Sequence, residues 1–306
     1  MKPLKIAIVG ATGTVGQSIF ESLKNEHHCY RYNSQNIDDI FYEKEPFDIM
    51  FYAAVPAVKW KANEEPEEDR KIVQHHLKQF NEINARQKAL ISTIDVRNEN
   101  SGAYGRNRKE LEDAIKQYDN TFIFRLPALV GKHVKKNQWF DSLHSLPNTM
   151  NDKMMSTINK VVDELYKKSD EQSQIIRKNN QQVEYLPNKQ FWIDNNLGMH
   201  LAHNPYSVLK WLDIDGLGND LLDLIKIKTE NCSNLKFVEL CSSVDYSKAL
   251  LSIEQMYFSA TQQQFPKVSK EFYQQIGLQP IRHDLDDDKY DGVVLLKKTN
   301  FNPRGE

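Results

Sequence analysis

The sequence predicts an α/β fold built on a doubly wound parallel sheet, with a smaller, mostly helical domain in its C-terminal half. Three observations carry this. Short apolar runs alternate with amphipathic stretches through the first 126 residues, a glycine-rich turn joins the first run to the first amphipathic stretch, and beyond about residue 137 the alternation stops. Runs and stretches linked by a few residues imply βαβ units, a parallel sheet and helices on both faces.

Residues 4–9, LKIAIV, read as a buried parallel strand because they are apolar without alternation. TVGQSIFESLKN (14–25) follows, with Val15, Ile19 and Leu23 at helical spacing. HCYRY (28–32) is a second short strand and FDIMFYAA (47–54) a stronger one. One long helix is predicted from Glu64 to Asn84, with Ile72, Val73, Leu77 and Phe80 inward. KALISTIDV (88–96) is the next strand. YGRNRKELEDAIKQY (104–118) is a helix with Leu111, Ile115 and Tyr118 on one stripe, and TFIFRL (121–126) is a strand. In the second half, 151–168 reads as an amphipathic helix, with apolar residues at 154, 155, 158, 161, 162 and 165. Shorter helices are expected near 217–227, 246–258 and 268–277, and a strand at LKFVEL (235–240). The domains are then 1–137 and a smaller region, 138–306, with segments that pack back on the first.

Composition narrows the function. A chain of 306 residues with 40% hydrophobic and 27% charged side chains can bury a substantial core. Its net charge of -2 gives no global field to favour nucleic acid. Local basic clusters, GKHVKKN (131–137) and YGRNRK (104–109), suit small phosphorylated ligands instead. Cys29, Cys232 and Cys241 form no CxxC pair, and an odd number argues for a reducing, cytoplasmic compartment. No apolar run approaches the ~20 residues of a membrane span, and the N-terminus lacks a signal-peptide pattern.

GATGTVG places Gly10, Gly13 and Gly16 between the first strand and the first helix. Glycines there let the backbone turn tightly and approach a pyrophosphate, which the free N–H groups and positive dipole end of the helix would hold. The spacing is GxxGxxG rather than GxGxxG, but the strand–turn–helix context is the one a dinucleotide site requires. The acid expected on the adenosine ribose is missing from CYRYNS (29–34). Arg31 could meet a 2′-phosphate there, with Asn33 or Ser34 beside it, which leans toward NADP over NAD. The plainer reading makes Arg31 an exposed strand residue.

In AYGRNR (103–108), Tyr104 and Arg108 stand at i,i+4 on one helix face. A fixed positive charge favours phenolate over phenol. Arginine keeps that charge but releases no proton near neutrality, since its pKa exceeds about 12. Lys109, at i,i+5, points off that face.

Taken in order, GATGTVG, LISTIDV and YGRNR resemble the extended branch of the short-chain dehydrogenase/reductase superfamily over roughly residues 4–140. That branch has a Rossmann-type fold and acts on nucleotide sugars as NAD(P)-dependent epimerases, dehydratases and reductases. FYAAVPAVKWKANEEPEEDR and FRLPALVGKHVKKN resemble an epimerase/dehydratase-like group; the second half resembles the family only loosely. By this resemblance Thr93 binds the substrate oxygen, Tyr104 moves the proton, and Arg108 replaces the lysine that binds the nicotinamide ribose. The cofactor would lie against Gly10, Thr12, Gly13, Val15, Gly16, Ala53 and Ala54, with Asn36 and Ile37 near the adenine. Lys135, Lys136 and Asn137 stand where the family contacts substrate phosphates. The helices near 64–84 and 104–118 would form a homodimer interface.

Two departures stand out. Tyr104 lies only eleven positions after Thr93, and the short link from the second strand to FDIMFYAA leaves room for one strand fewer than usual. Other residues have plainer readings. His75 and His76 are adjacent on a helix and point apart, so a surface or interface role is expected rather than metal binding. HDLDDDKYDG (283–292) alternates Asp284, Asp286 and Asp288 but lacks the glycine and final glutamate of a calcium loop, and no metal is expected. Asp95 faces the substrate or ends the strand. Lys59 and Trp60 follow the cofactor-edge loop and could meet a substrate, or Trp60 could pack. The function expected is NAD(P)-dependent oxidation–reduction or epimerisation of a nucleotide-activated sugar. The alternative is a non-catalytic NAD(P)-binding sensor or partner-binding protein.

Overall fold

The computed structural model describes residues 2–97, 102–134 and 208–231, and short strands at 150–151, 166–168, 184–187, 237–242, 250–252 and 293–298. The chain divides into two compact units. The first is Met1–Lys135, Lys210–Ala249 and Asp284–Glu306; the second is Lys136–Leu209 and Leu250–His283.

The first unit opens with β1 (Lys5–Val9), α1 (Thr14–Leu23), β2 (His28–Tyr32) and β3 (Phe47–Tyr52). It continues through α2 (Lys59–Glu64), α3 (Pro66–Glu82), β4 (Ala85–Thr93), α4 (Gly102–Ile115), β5 (Thr121–Leu126) and β6 (Ala128–Val130). Within the second unit, β7 (Met150–Asn151), β8 (Tyr166–Lys168) and β9 (Glu184–Pro187) form an antiparallel sheet in the order β7-β9-β8. Next come β10 (Val208–Asp213), α5 (Leu217–Asn231), β11 (Phe237–Ser242), β12 (Leu250–Ser252) and β13 (Val293–Lys298).

The main sheet has seven strands in the order β13-β11-β5-β4-β3-β1-β2, and every pair in it is parallel. Its centre is apolar because both faces are covered: all six residues of β5 are buried, as are Ile6 to Val9 of β1 and Ile49 to Tyr52 of β3. The chain leaves β1 for β2 on one side and then crosses to β3 on the other. This reversal makes the carboxyl ends of β1 and β3 a topological switch point, the place where such sheets bind ligands. A six-residue 3-10 helix, Ile37–Tyr42, links β2 to β3, so the sheet ends at β2, in keeping with the missing strand the sequence predicts.

Several elements differ from expectation. The helix expected over 64–84 is α3, which starts at Pro66; a separate short helix, α2, precedes it, and the two are broken at Glu65 (φ -123°, ψ 66°) because Pro66 bars its predecessor from helical geometry. Lys88 Nζ then caps α3 by donating to the carbonyls of Phe80 and Asn81, each at 2.9 Å. The strand expected over 88–96 runs from Ala85 to Thr93 and yields to a 3-10 turn, Ile94–Arg97. His76 turns inward instead of lying on the surface: its Nδ1 is 2.8 Å from the Tyr52 hydroxyl, which also donates to Gln79 Oε1 at 3.0 Å. Strands stand at Asn151, Tyr166–Lys168 and Leu250–Ser252, inside the ranges where helices were predicted. The helix at 268–277 and the acidic stretch at 283–292 lie outside the described residues. The helix expected near 217–227 is α5, and it packs on α1. Gly218 N–H donates to Ser22 Oγ at 2.9 Å, and Ser18 Oγ donates to the Ile214 carbonyl.

Candidate active site

The first part of the site is the turn between β1 and α1. Gly10 has φ +84°, and a Cβ there would stand 2.5 Å from the Ala53 carbonyl oxygen. A Cβ at Gly16 would collide with the Gly10 carbonyl. These two glycines are therefore demanded by the fold, one by backbone conformation and close approach to β3, the other by the seating of α1 on the turn. Gly13 is different. Its Cβ direction meets only the Gly10 carbonyl oxygen, at 3.3 Å, beyond its own helix and chain neighbours. Gly13 is exposed and is the N-cap of α1, which has no side-chain cap and no acid in its first turn. The first-turn N–H groups and positive dipole end are thus open to an anion, and Gly13 leaves the space a pyrophosphate would fill. Thr12 is exposed and Val15 half-buried on the same turn.

At the end of β2, Arg31 is exposed, and its guanidinium lies 4.6 Å from the ring centre of Phe20 on α1. That contact holds a cation beside the glycine turn. Asn33 and Asn36 are used within their own loop. Asn36 Oδ1 accepts from Asn33 N–H at 2.8 Å, Asn36 Nδ2 donates to the Arg31 carbonyl at 3.0 Å, and Asn33 Oδ1 accepts from Gln35 N–H at 2.8 Å. Ile37 and Ala54 are partly buried against the core. Ala53 N–H donates to the Val9 carbonyl at 2.8 Å, which ties the end of β3 to the glycine turn.

The second part lies at the carboxyl end of β4, two strands from β1. Thr93 is its last residue, and the chain folds back at once. Asp95 N–H donates to Thr93 Oγ1 at 3.2 Å, and Thr93 Oγ1 donates to Asp95 Oδ2 at 3.3 Å. This local side-chain bonding ends the strand and holds the Asp95 carboxylate against the Thr93 hydroxyl. Lys59 Nζ donates to Asp95 Oδ1 at 2.6 Å. Tyr104 stands on the first turn of α4, 6% exposed, with the Thr93 hydroxyl beside its phenol. Its backbone N–H donates to Asn63 Oδ1 at 2.9 Å, which anchors the start of α4 on α2.

Arg108 shares the face of Tyr104, as its spacing requires, with its guanidinium carbon 4.7 Å from the Tyr104 ring centre. Its donors point elsewhere. Nη1 and Nη2 bind the two carboxylate oxygens of Asp69 at 2.9 and 3.0 Å, and Nη2 also binds the Pro56 carbonyl at 2.7 Å. Asn107 Nδ2 adds a bond to Asp69 at 2.8 Å. Arg108 pulls the Tyr104 phenol toward ionisation, as a neighbouring cation should, but the balance of forces runs the other way. Burial pushes the phenol up to about 12, outweighing the pull of Arg108, with Asp95 and Asp69 both opposing that pull.

A second buried ion pair fixes α4 from below. Arg125 on β5 binds Glu112 through Nε (3.1 Å to each oxygen) and Nη2 (2.6 Å), and Ser92 Oγ donates to Glu112 at 2.6 Å. Desolvation raises the Glu112 pKa, against the pull of Arg125. Asp69, Glu112 and the Lys59–Asp95 pairing were not singled out by sequence reasoning. Their acids sit among other helix acids, and nothing in their spacing names a partner. Trp60 is 69% exposed beside Lys59. Lys135, Lys136 and Asn137 lie outside the described residues. Among the described residues no helix is long and apolar enough to cross a membrane, and no cluster of His, Cys, Asp and Glu is arranged to hold a metal.

No family model matches the chain, and no curated protein matches it in sequence. Solved structures do match in fold. A dTDP-4-dehydrorhamnose reductase from Bacillus anthracis, in complex with NADP, has a TM-score of 0.55 at 13% identity, over 92% of this chain and 89% of that one. A UDP-N-acetylglucosamine 4-epimerase from Methanobrevibacter ruminantium, in complex with UDP-N-acetylmuramic acid, has a TM-score of 0.53 at 10% identity, over 94% and 95%. A dTDP-4-dehydrorhamnose reductase from Clostridium acetobutylicum has a TM-score of 0.51 at 14% identity, over 96% and 90%. At these identities the likeness is one of fold: the Rossmann-type architecture of nucleotide-sugar reductases and epimerases.

Proposed function

We propose that this protein is an NAD(P)-dependent oxidoreductase acting on a nucleotide-activated sugar, and that the step it favours is reduction of a sugar carbonyl. The observation that carries the proposal is one juxtaposition. The Thr93 and Tyr104 hydroxyls meet at the carboxyl end of β4, two strands from a glycine turn whose helix end is open to an anion. The fold likeness to nucleotide-sugar reductases and epimerases supports the substrate class.

The N-terminus of α1 and the space at Gly13 would hold the pyrophosphate, and Arg31 would meet a 2′-phosphate, favouring NADP. When bound, the reduced nicotinamide supplies the hydride. Tyr104 then gives its proton to the oxygen on which negative charge develops, while Thr93 donates a hydrogen bond to the same oxygen. A phenol held near 12 is fully protonated at neutral pH, so the proton to be given is in place. Lys135, Lys136 and Asn137 bind the substrate phosphates in this reading, and α3 and α4 form a homodimer face.

A second reading rests on the engagement of Arg108. A guanidinium committed to Asp69 and Pro56 leaves a buried tyrosine that resists ionisation, which fits a cofactor-binding sensor without turnover. One experiment separates the two. The protein is incubated with 4-keto nucleotide-sugars and NADPH or NADH, and oxidation of the nicotinamide is followed. The enzyme reading expects turnover that drops at least about 10²-fold in Tyr104→Phe while cofactor binding persists. Turnover that survives Tyr104→Phe removes the assigned role; binding without turnover of any nucleotide-sugar supports the sensor.

A further inference from the structure

Three charges act on the Tyr104 phenol, and a fourth stands behind one of them. Arg108, on its own helix, favours the phenolate; Asp69 on α3 and Asp95 on the turn after β4 oppose it. These three leave one net negative charge. His76, also on α3, adds none near neutrality, since burial and the neighbouring His75 and Arg108 depress its pKa to about 4. The fourth charge is Lys59, at the start of α2. Lys59 Nζ binds Asp95 Oδ1 at 2.6 Å, Asp95 Oδ2 accepts the Thr93 hydroxyl at 3.3 Å, and the Thr93 side chain lies beside the Tyr104 phenol. The Lys59 side chain is 41% exposed and that of Asp95 16%, so the chain of contacts runs from the phenol to solvent.

We propose that Lys59 is the positioning cation for proton transfer at Tyr104, acting through Asp95 and Thr93 in the role that Arg108, engaged by Asp69, does not fill. The inference rests on the reading of Tyr104 as the proton donor. Lys59 cancels the charge of Asp95 and so weakens that carboxylate's hold on the Thr93 proton, which frees the Thr93 hydroxyl to turn to the reacting oxygen. A cation nearer in effect to the phenol makes it a stronger acid and a faster donor.

The test needs no substrate. The full-length protein is labelled with 3-fluorotyrosine, the Tyr104 resonance is assigned with Tyr104→Phe, and its titration is followed by fluorine NMR. Lys59→Met is expected to move the Tyr104 titration upward by roughly one pH unit, as one charge acting past Asp95 and Thr93 over about 10 Å would. Lys59→Arg restores it. Asp95→Asn moves it down, and Lys59→Met added to Asp95→Asn changes nothing further. A Lys59→Met protein with parental melting temperature and an unmoved titration overturns the proposal, because a merely structural ion pair behaves that way. Should Lys59→Met fail to fold, Asp95→Asn carries the test: a constant or raised titration overturns it. Absence of turnover in every variant counts against the nucleotide-sugar reading and leaves this titration to decide Lys59 on its own.

Discussion

Replacing Arg108 by methionine strands the Asp69 carboxylate inside the wall between α3 and α4. The two side chains are only 5% and 9% exposed, and they share two N–H···O bonds at 2.9 and 3.0 Å. With the guanidinium gone, Asp69 keeps one bond, from Asn107. Breaking a buried pair by removing one partner costs about 3–5 kcal/mol. Asp69→Asn leaves the guanidinium facing one amide oxygen and the Pro56 carbonyl, a loss of about 2–3 kcal/mol. The double variant needs neither partner, so its cost falls short of the summed singles by about 2 kcal/mol or more. Arg108→Lys keeps the charge but loses the planar fork, which removes at least one charge-assisted bond worth about 1.5–3 kcal/mol. The assay is equilibrium urea unfolding of the parent and the four variants, read by tryptophan fluorescence and by circular dichroism. Additivity of the two single variants within about 0.5 kcal/mol would refute the account of Arg108 as a structural clamp. So would an Arg108→Lys protein of parental stability.

Other predictions follow from the same coordinates. Gly10→Ala puts a Cβ 2.5 Å from the Ala53 carbonyl at φ +84° and is expected to cost more than about 2 kcal/mol. Gly13→Ala keeps the parental melting temperature yet weakens NADPH binding by roughly tenfold or more, which is about 1.4 kcal/mol; equal binding by Gly13→Ala would remove the glycine from the cofactor site. His76 is held neutral, its pKa depressed by burial from 6.5 to about 4. A depressed folded value means that its contribution is complete above pH 6.5 and is lost as pH falls toward 4. Denaturation midpoints measured across that window should drop by the equivalent of about 3 kcal/mol more in the parent than in His76→Gln. Parallel pH profiles for the two proteins would show that His76 is not buried as described.

Much of the sheet could be read from the chain because its signals are local. LKIAIV, HCYRY and TFIFRL are strands where their apolar runs lie, and the glycines announce the turn before α1. What escaped was set by contacts distant in sequence or by bonds within a turn. Asp95 was read as facing the substrate or ending the strand, and the Thr93 hydroxyl decides it by closing a turn through the Asp95 N–H and carboxylate. The YxxxR pair was legible as a shared helix face, whereas the direction of the guanidinium was not. Asp69, thirty-nine residues away, decides it, and in sequence Asp69 is only the third acid of a helix start. The sign of the Tyr104 shift was missed for the same reason, since burial of the first turn of α4 outweighs the neighbouring charge.

The central claim is that the turn between β1 and α1 holds a nicotinamide dinucleotide. Titration of the purified protein with NADPH and NADH, followed by nicotinamide fluorescence, tests it most directly. The account predicts saturable binding of both, tighter for NADPH, with the preference lost in Arg31→Ala. Failure of both reduced forms to bind, with the oxidised forms silent in calorimetry as well, would contradict the account and leave the glycine turn a matter of packing alone.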